Sequence, residues 1–560
     1  VLVGGPPEAS IVLPGAMRVQ VAGLGLVWAA CLAEGVVGDV AAVASAAAPG
    51  DEQTDVGIEL LVTSAGPATP RTCYPAPKLP AFARGSYFIG GPALFEIGGY
   101  KYQGIFDGLG KMNRFELRDG QICYTSAWLN TGMYQEMEKE GKPPHGILFE
   151  DTVPPMRRCP MVDPVCSILS PNDNNWVSMI KVGGEVLLLS DTPTMVRMDP
   201  ETLNCSGIKQ WADDKKTALG QKQPSWVSSM HAGAMGSAHP LQRPGTDTWV
   251  DIIDEMAEGP LAGKNKVDVY TFDGTMNGPQ NRRKFVSIET DNLQYMHSFG
   301  VTPNYVVLPF NLQVNLNPLG QPTLLSSFSG SWKGLHVVDL KGNVQAFDTE
   351  PFFHVHMVNS FENSTGIVFD VGYYSGIPFA KNAQLDVFLM QNKTARDTNP
   401  LKGGVRRLHL HLSGPMQGKV TFQDLVAPTR GIDFFRINMA RSGLPYCIYY
   451  ATEWWHNDKD YASMATFKHN VCTGEKLYWN RVDHYLGEPF FIGDEGADAE
   501  DAGIVVFLAL DGRQRRSLLV TLDAQTFEEV ALTQVPSHIP FTAHGQYFPA
   551  AAARAELTYV

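Results

Sequence analysis

Short apolar runs dominate the hydrophobic pattern from about Ala83 to the C-terminus, and turn residues interrupt them at short intervals. Val267–Phe272 and Ile504–Leu510 are two such runs, and an Asp-Gly pair directly follows each of them. Long amphipathic helical patterns are scarce. Strand-length runs of β-branched and aromatic residues between turn signals predict an all-β fold.

One turn sequence recurs along the chain. Met198–Leu203 and Leu522–Phe527 share the pattern Asp-x-x-Thr between two strand-like runs, and Val338–Gly342 is a looser copy. Because aspartate accepts hydrogen bonds from the backbone of its own turn, the pattern predicts tight hairpins. Hairpins repeated over most of the chain, without a Gly/Ser-rich linker, favour a β-propeller, and a pair of β-sandwich domains is the alternative.

The N-terminal part has a different texture. Residues 1–75 are rich in Ala, Gly and Pro, which indicates a leader plus linker and leaves 76–560 as the folded domain. Met17-Arg18 precedes the apolar run Val19–Ala33, an order typical of a signal peptide, with a plastid leader or an Ala/Gly tail as alternatives. We therefore expect the secretory pathway or the plastid if this leader is functional, and otherwise the cytoplasm with peripheral membrane association.

Charge and cysteine content narrow the classes of function. A net charge of −14 argues against nucleic-acid binding, which needs a basic face. None of the eight cysteines forms a Cys-x-x-Cys pair, so a thiolate zinc site is not expected, and free thiols and a few disulfides both fit. Asn-x-Ser/Thr triplets at Asn204, Asn363 and Asn392 give weak support to secretion.

Four of the fourteen histidines share a setting beside a β-like run and near Gly, Pro or Ser: His239, His297, His356 and His544. The first two intervals between them are 58 and 59 residues, and the third, 188 residues, is a little over three times as long. One interval corresponds to one propeller blade with long loops, so the four side chains are predicted to converge on the propeller axis. Chance spacing is the alternative.

Imidazole is a good ligand for iron, zinc and copper. Four neutral histidines around one ferrous ion would leave coordination positions open for O2 or substrate. Such ligands usually donate their second N–H to an acceptor, so carboxylates are expected beside the site.

The four histidine segments, with Gly85–Gly98 and Phe106-Asp107-Gly108, resemble the carotenoid cleavage oxygenases from about Gly85 to Val560. Tyr295-Met-His297-Ser-Phe-Gly300 and the His-x-x-Asn-x-aromatic-Glu pattern at His356 are part of this resemblance. It implies a seven-bladed β-propeller with a helical and loop cap over one Fe2+, bound by the four histidines named above.

The resemblance also implies three outer carboxylates that orient three of the histidines. Asp191 and Asp433 stand where the family has Glu, and Glu488 matches the family residue. Since Asp is one methylene shorter, we expect it to reach its histidine through an inward backbone shift or a water molecule. His354 lies two residues before His356; the family pattern counts from His356, so His354 is expected to be a packing residue. His231 is expected to be structural.

The implied activity is an Fe(II)-dependent dioxygenase that cleaves a C=C bond of a carotenoid or apocarotenoid to carbonyl products, with an apolar polyene and O2 as its partners. A retinoid-type isomerase and a stilbene-cleaving dioxygenase on the same scaffold are alternatives, and a non-catalytic binding propeller is a third. An apolar substrate implies peripheral membrane contact, for which the segment 144–169 is the candidate.

Overall fold

The computed structural model describes residues 54–146, 149–156, 172–216, 222–258, 261–310, 312–315, 323–329, 334–374, 390–398 and 402–550. One compact unit comprises Gln53–Val560. Its described part contains seven antiparallel sheets of four or five strands, which follow one another along the chain and are called blades 1 to 7 here.

The strands of blades 1 to 4 are given in spatial order. Blade 1 contains Thr69–Pro75, Gln121–Trp128, Leu109–Arg118, Gly85–Leu94 and Gly545–Pro549. Blade 2 contains Cys205–Ile208, Val196–Met198, Glu185–Leu189 and Ser178–Val182. In blade 3, His231–Gly236 and Leu241–Gln242 both pair with Thr248–Ala257, which is followed by Asn265–Asp273 and Arg283–Thr290. Blade 4 contains Gly300–Val301, Tyr305–Pro309, Leu335–Asp339 and Val344–Phe347.

Blades 5 to 7 repeat this arrangement. Blade 5 contains Met357–Glu362, Gly366–Tyr374, Gly403–His411 and Val420–Val426. Blade 6 contains Ile432–Ile437, Ile448–Glu453, Ala465–Asn470 and Lys476–Asn480. In blade 7, His484–Leu486 and Phe490–Gly493 both pair with Gly503–Asp511, which is followed by Arg516–Asp523 and Glu529–Gln534.

Smaller elements lie in the connections. Three small sheets contain Glu96–Ile97 with Tyr100–Tyr102 and Thr152–Val153, Asp214–Lys216 with Lys222–Pro224, and Leu293–Gln294 with Gln313–Val314 and Phe328–Ser329. The α-helices are Gly132–Glu140, Leu324–Ser327 and Lys393–Thr398, and the 3-10 helices are Ile58–Val62, Ile105–Asp107, Met439–Arg441 and Tyr461–Ser463. In the part of the chain described, no helix is both long and apolar enough to cross a membrane.

The innermost strands of the blades form a ring. Gly545–Pro549 pairs with Gly85–Leu94, so the last strand of the chain completes the first blade. The innermost strands of blades 3 to 7 contact one another in sequence, and Gly545–Pro549 contacts the innermost strands of blades 7 and 2. Blades 2 and 3 are joined by the Gly236 amide, which donates to the Asp191 carbonyl oxygen at 3.2 Å. The chain is therefore a seven-bladed β-propeller.

Apolar clusters fill the spaces between neighbouring blades. Val250 and Val267 of blade 3 pack with Val306 and Leu308 of blade 4, for example. Other clusters join blades 1 and 2, 2 and 3, 4 and 5, 5 and 6, 6 and 7, and 7 and 1. Because the central strands are buried on both faces, they are continuous apolar runs rather than alternating ones. Gly503–Asp511, which contains the run Ile504–Leu510, is such a strand.

The predicted hairpins are confirmed. The Asp199 side chain accepts hydrogen bonds from the Glu201 and Thr202 amides at 2.9 and 2.8 Å. Asp523 accepts from the Gln525 and Thr526 amides at 3.0 and 2.8 Å. In both turns the residue after the threonine, Leu203 or Phe527, has positive φ.

The predicted domain boundary at residue 75 is wrong for residues 54–75. Ile58–Val62 is a 3-10 helix whose Ile58, Leu60 and Val62 are buried in the core between blades 6 and 7. Thr69–Pro75 pairs with Gln121–Trp128 as the outer strand of blade 1. An outer strand is exposed on both sides and lacks hydrophobic alternation, so its sequence looks like a linker. The predicted leader lies outside the described residues.

Candidate metal centre

The four predicted histidines lie at one end of the innermost strands. His356 and His544 directly precede the innermost strands of blades 5 and 1, which begin at Met357 and Gly545. His297 precedes the innermost strand of blade 4, and His239 lies between the two inner segments of blade 3. Equivalent positions in a ring of blades point toward a common axis, so side chains far apart in sequence meet there.

The ring nitrogens of these histidines form one compact group. One ligand atom from each residue lies within 4.8 Å of the others. The Nε2 atoms of His239 and His297 are 3.0 Å apart, and so are those of His297 and His356. Ligands about 2.1 Å from a first-row metal ion and at right angles to each other would be about 3.0 Å apart. The arrangement therefore fits a single metal ion among four imidazoles.

Three carboxylates fix three of the imidazoles. His297 Nδ1 donates to Asp191 at 2.8 Å, His356 Nδ1 donates to Asp433 at 2.7 Å, and His544 Nδ1 donates to Glu488 at 2.7 Å. Since a carboxylate only accepts, each Nδ1 carries the proton and each Nε2 presents its lone pair to the centre. Both aspartates thus reach their histidines directly, not through the water bridge considered above.

A second donor holds the outer oxygen of each carboxylate. The Tyr295 hydroxyl donates to Asp191 Oδ2 at 2.7 Å, and the Tyr374 hydroxyl donates to Asp433 Oδ2. Glu488 Oε2 accepts instead from the Arg436 guanidinium at 2.8 Å and from the Gly545 amide at 2.9 Å.

Burial favours the neutral, metal-binding form of two of the four histidines. Burial, then the neighbouring histidines, lowers the pKa of His239 and of His544 well below the ordinary histidine value. Burial would raise the pKa of Asp433, but the adjacent His356 and the hydrogen bonds to His356 and Tyr374 bring it below its usual value. Neutral imidazoles beside an ionised carboxylate are the donor set of a metal site.

A β-bulge places two residues of blade 6 at the centre. The register of Ile432–Ile437 against its neighbour shifts between Asp433 and Arg436, and Phe434 has φ of 58°. Such a bulge redirects side chains at a strand end, and a left-handed phenylalanine is costly unless its surroundings enforce it. Here it brings Asp433 to His356 while the Phe434 ring lies 5.6 Å from the His356 ring and 5.5 Å from the His544 ring.

A cavity of about 230 Å³ opens onto the histidines. Most of its wall is apolar, and its aromatic lining comprises Phe106, Phe149, Trp176, Tyr295, Tyr374, Phe434, Trp454, Tyr461 and Phe541. Several of these residues come from the long connections between strands, which supply the cover that the sequence predicted. Such a cavity fits an apolar ligand rather than a charged one.

The remaining histidine predictions agree with the geometry. His354 is buried with its ring 6.2 Å from Phe369 and lies outside the four-histidine group. His231 binds Ser228 Oγ and the Lys264 carbonyl oxygen at 2.7 and 3.0 Å, as expected of a structural residue.

Sequence reasoning assigned no role to Tyr295, Tyr374, Phe434 or Arg436. Tyr295 had a local signal, because it lies two residues before His297 in the same motif. Arg436 and Phe434 lie within the Asp433 motif. Tyr374 had no local signal, because it is 59 residues from Asp433 and reaches it only through the pairing of blades.

The fold and the site define this chain as a β-propeller protein with a four-histidine metal centre. Comparisons with known proteins identify its family. Residues 66–549 match the model of the family described as retinal pigment epithelial membrane protein. The chain therefore belongs to this family, that of the carotenoid cleavage oxygenases.

Individual relatives are distant but match over most of their length. The carotenoid isomerooxygenase of Galleria mellonella is 24% identical over 503 residues, which cover 84% of this chain and 92% of that protein. The β,β-carotene 15,15'-dioxygenase of Rattus norvegicus is 24% identical over 528 residues, covering 84% and 88%. The crystal structure of a cobalt-substituted Synechocystis ACO (apocarotenoid oxygenase) superposes with a TM-score of 0.70 at 21% identity, covering 88% of this chain and 98% of that chain.

Proposed function

We propose that this protein is an Fe(II)-dependent dioxygenase that cleaves one C=C bond of a carotenoid or apocarotenoid. The observation that carries the proposal is the group of four histidines at the wall of an apolar, aromatic-lined cavity. Membership of the carotenoid cleavage oxygenases and the names of the relatives support the substrate class. The reaction consumes one O2 and one C=C bond and forms two C=O groups.

The donor set suits iron, since four neutral imidazoles bind Fe(II) and leave open positions. His239, His297, His356 and His544 would hold the ion through Nε2. When bound, iron would supply the open coordination position and the redox chemistry that adds O2 to a double bond.

The side chains of this protein orient the ligands, bind the polyene and exclude water. Asp191, Asp433 and Glu488 keep the proton on Nδ1 of their histidines. The cavity wall, including Phe106, gains binding free energy from apolar area removed from water, at about 25 cal/mol per Å². Of the three aspartates at the cavity, Asp191 and Asp433 accept from histidine and tyrosine, and Asp107 accepts from the Phe149 and Glu150 amides. The reaction therefore needs no protein general base.

A retinoid-type isomerase would use the same centre, and the relative named carotenoid isomerooxygenase gives this candidate specific support. A stilbene-cleaving dioxygenase on the same scaffold remains a second alternative, and a metal-free binding propeller a third. The four functions differ in their products. The carotenoid dioxygenase forms two carbonyl compounds and the isomerase forms one rearranged alcohol. The stilbene-cleaving enzyme forms two phenolic aldehydes, and the binding propeller forms no product.

The test is incubation of the iron-loaded protein with a panel of carotenoids, apocarotenoids and stilbenes, with products identified by mass. Two carbonyl fragments from a polyene, whose masses sum to substrate plus O2, are expected. A single rearranged product would support the isomerase. Only phenolic aldehydes would support the stilbene enzyme, and an unaltered panel would contradict catalysis.

We further propose peripheral contact with a membrane. An apolar substrate dissolved in lipid supports it, since the cavity must be filled from that phase. The candidate segment, residues 144–169, lies mostly outside the described residues; of its described part, Phe149 lines the cavity and Val153 is exposed. Co-sedimentation with phosphatidylcholine vesicles is expected, and recovery of all protein in the supernatant would contradict it.

For location we propose the secretory pathway. Two disulfides, Cys73–Cys123 and Cys447–Cys472, support an oxidising compartment. Asn204, Asn363 and Asn392 are exposed, as glycosylation acceptors should be. Protein from its native source should show at least four fewer titratable thiols before reduction than after, because the described residues contain these two disulfides; equal numbers would contradict the proposal.

A further inference from the structure

Each of the three carboxylates beside the histidines accepts a hydrogen bond from its histidine and another from a second residue. The second residue differs between Glu488 and the two aspartates. In Asp433 and Glu488 one oxygen accepts from a histidine Nδ1, and the other must be held, because a carboxylate bound at one oxygen can rotate and carry its histidine with it. In Asp191 both oxygens lie within hydrogen-bond distance of His297 Nδ1, at 2.8 and 2.9 Å, and a further donor to Oδ2 holds the carboxylate in this position. Glu488 is held by Arg436 and by the Gly545 amide. Asp191 and Asp433 have no such cation within the hydrogen bonds of the described residues, and each takes a tyrosine hydroxyl instead.

The two tyrosines occupy equivalent places in the site. Both are buried, both line the cavity, and both donate to the Oδ2 atom of an aspartate. They come from different elements: Tyr295 lies just before blade 4, and Tyr374 ends the second strand of blade 5. Two segments far apart in sequence thus supply the same donor to the same kind of acceptor. This indicates that each aspartate carboxylate requires the hydroxyl donor.

Each hydroxyl donates to the Oδ2 atom of its aspartate. Asp433 Oδ1 accepts from His356 and from the Phe434 amide at 2.8 Å, whereas Tyr374 is the donor found for Oδ2. Asp191 Oδ1 accepts from the Ala238 amide at 3.2 Å, and Oδ2, which lies 2.9 Å from His297 Nδ1, accepts from the Tyr295 hydroxyl at 2.7 Å. A buried carboxylate oxygen left without a donor costs free energy and moves toward another partner, which rotates the carboxylate away from its histidine.

We propose that Tyr295 and Tyr374 are positioning residues of the metal centre, each holding an aspartate against its ligand histidine so that Nε2 of His297 and of His356 points at the metal. The inference rests on the proposed metal centre and adds to it two residues that act through another side chain. It implies that the hydroxyls matter for metal binding even when no substrate is present.

The test measures Co(II) binding to the metal-free full-length protein by its visible absorption. Tyr295→Phe and Tyr374→Phe should each weaken Co(II) binding about tenfold, the lower end of outer-shell losses, and should alter the ligand-field bands. Tyr450→Phe is the matched control, because it removes a buried tyrosine hydroxyl that has no hydrogen-bond partner among the described residues and does not line the cavity. It should bind Co(II) like the unmodified protein.

A double-mutant cycle separates positioning from a general structural role. If Tyr295 acts through Asp191, then adding Tyr295→Phe to Asp191→Ala should change Co(II) affinity by less than about twofold. The cycle of Tyr374→Phe with Asp433→Ala provides an independent second test, should one alanine variant fold poorly. Full additivity in the cycles, or binding by both single variants within twofold of the unmodified protein, would overturn the proposal. Failure of the unmodified protein to bind Co(II) would overturn the metal centre itself and this inference with it.

Discussion

The two sides of the histidine group reach the same ligand orientation by different means. On one side, His297 and His356 donate to aspartates that neutral tyrosine hydroxyls hold. On the other, His544 donates to Glu488, which forms a buried ion pair with Arg436. A hydroxyl can donate or accept, whereas a guanidinium and an amide only donate. We call Asp191 and Asp433 with their tyrosines the tyrosine side, and Glu488 with Arg436 the arginine side. Neutralising a carboxylate should therefore cost less on the tyrosine side than on the arginine side.

The largest expected effect is the loss of a ligand. His356→Ala should reduce product formation below detection, because an open ligand position costs more than the roughly 10–100-fold of an outer-shell change. His354→Ala, two residues earlier and outside the group, is the matched control for product assays and should retain activity. Equal losses in the two variants would contradict the choice of His356.

Breaking the ion pair on the arginine side should destabilise the fold. Arg436→Met leaves Glu488, only 1% exposed, without its cation, and removing one partner of a buried pair costs about 3–5 kcal/mol. The urea midpoint of the metal-free protein measures this. Arg84→Met breaks a pair whose side chains are 59% and 64% exposed and serves as the control, with an expected cost of at most about 1 kcal/mol. A loss in Arg436→Met no greater than that of the control would show that the pair is unimportant.

Amide substitutions compare the two sides directly. In Glu488→Gln the new NH2 group would face the Arg436 and Gly545 donors or force the amide to flip toward His544, so metal affinity should fall about 100-fold. In Asp433→Asn the NH2 group faces the Tyr374 hydroxyl, which can become the acceptor, and the loss should be about tenfold. Titration of each metal-free variant with Co(II) gives both values. An equal or reversed order would show that the two sides do not differ in this way.

The fold and the ligands could be predicted from the sequence because their signals are local. Strand-length apolar runs and Asp-x-x-Thr turns are read within a few residues, and each histidine has neighbours of its own. Tyr374 could not be predicted, since its contact with Asp433 depends on the register of one blade and the bulge of the next. The strand Thr69–Pro75 was missed for a related reason: its pairing with Gln121–Trp128 is a long-range contact, and its exposed side chains show no period.

A further expected effect is a pH dependence of stability caused by His354, which lies two residues before His356. Burial, and then His356 and His297, lowers the pKa of His354 to about 3. In the unfolded chain His354 takes up a proton as the pH falls below the ordinary pKa of histidine. In the folded protein it does not do so until about pH 3. Stability is therefore lost on acidification. Between pH 7 and 5 the metal-free protein should lose about 2 kcal/mol more than His354→Phe, measured by urea midpoints. Equal losses would show that His354 takes up its proton in the folded state.

The proposed metal centre requires that the four histidines hold one iron ion. Anaerobic loading of the full-length protein with Fe(II), removal of excess metal and elemental analysis measure this occupancy. We expect about one iron per chain in the unmodified protein and close to none in His356→Ala, with both proteins giving the same circular dichroism spectrum. Iron near zero in the unmodified protein, or equal iron in the two proteins, would contradict the claim.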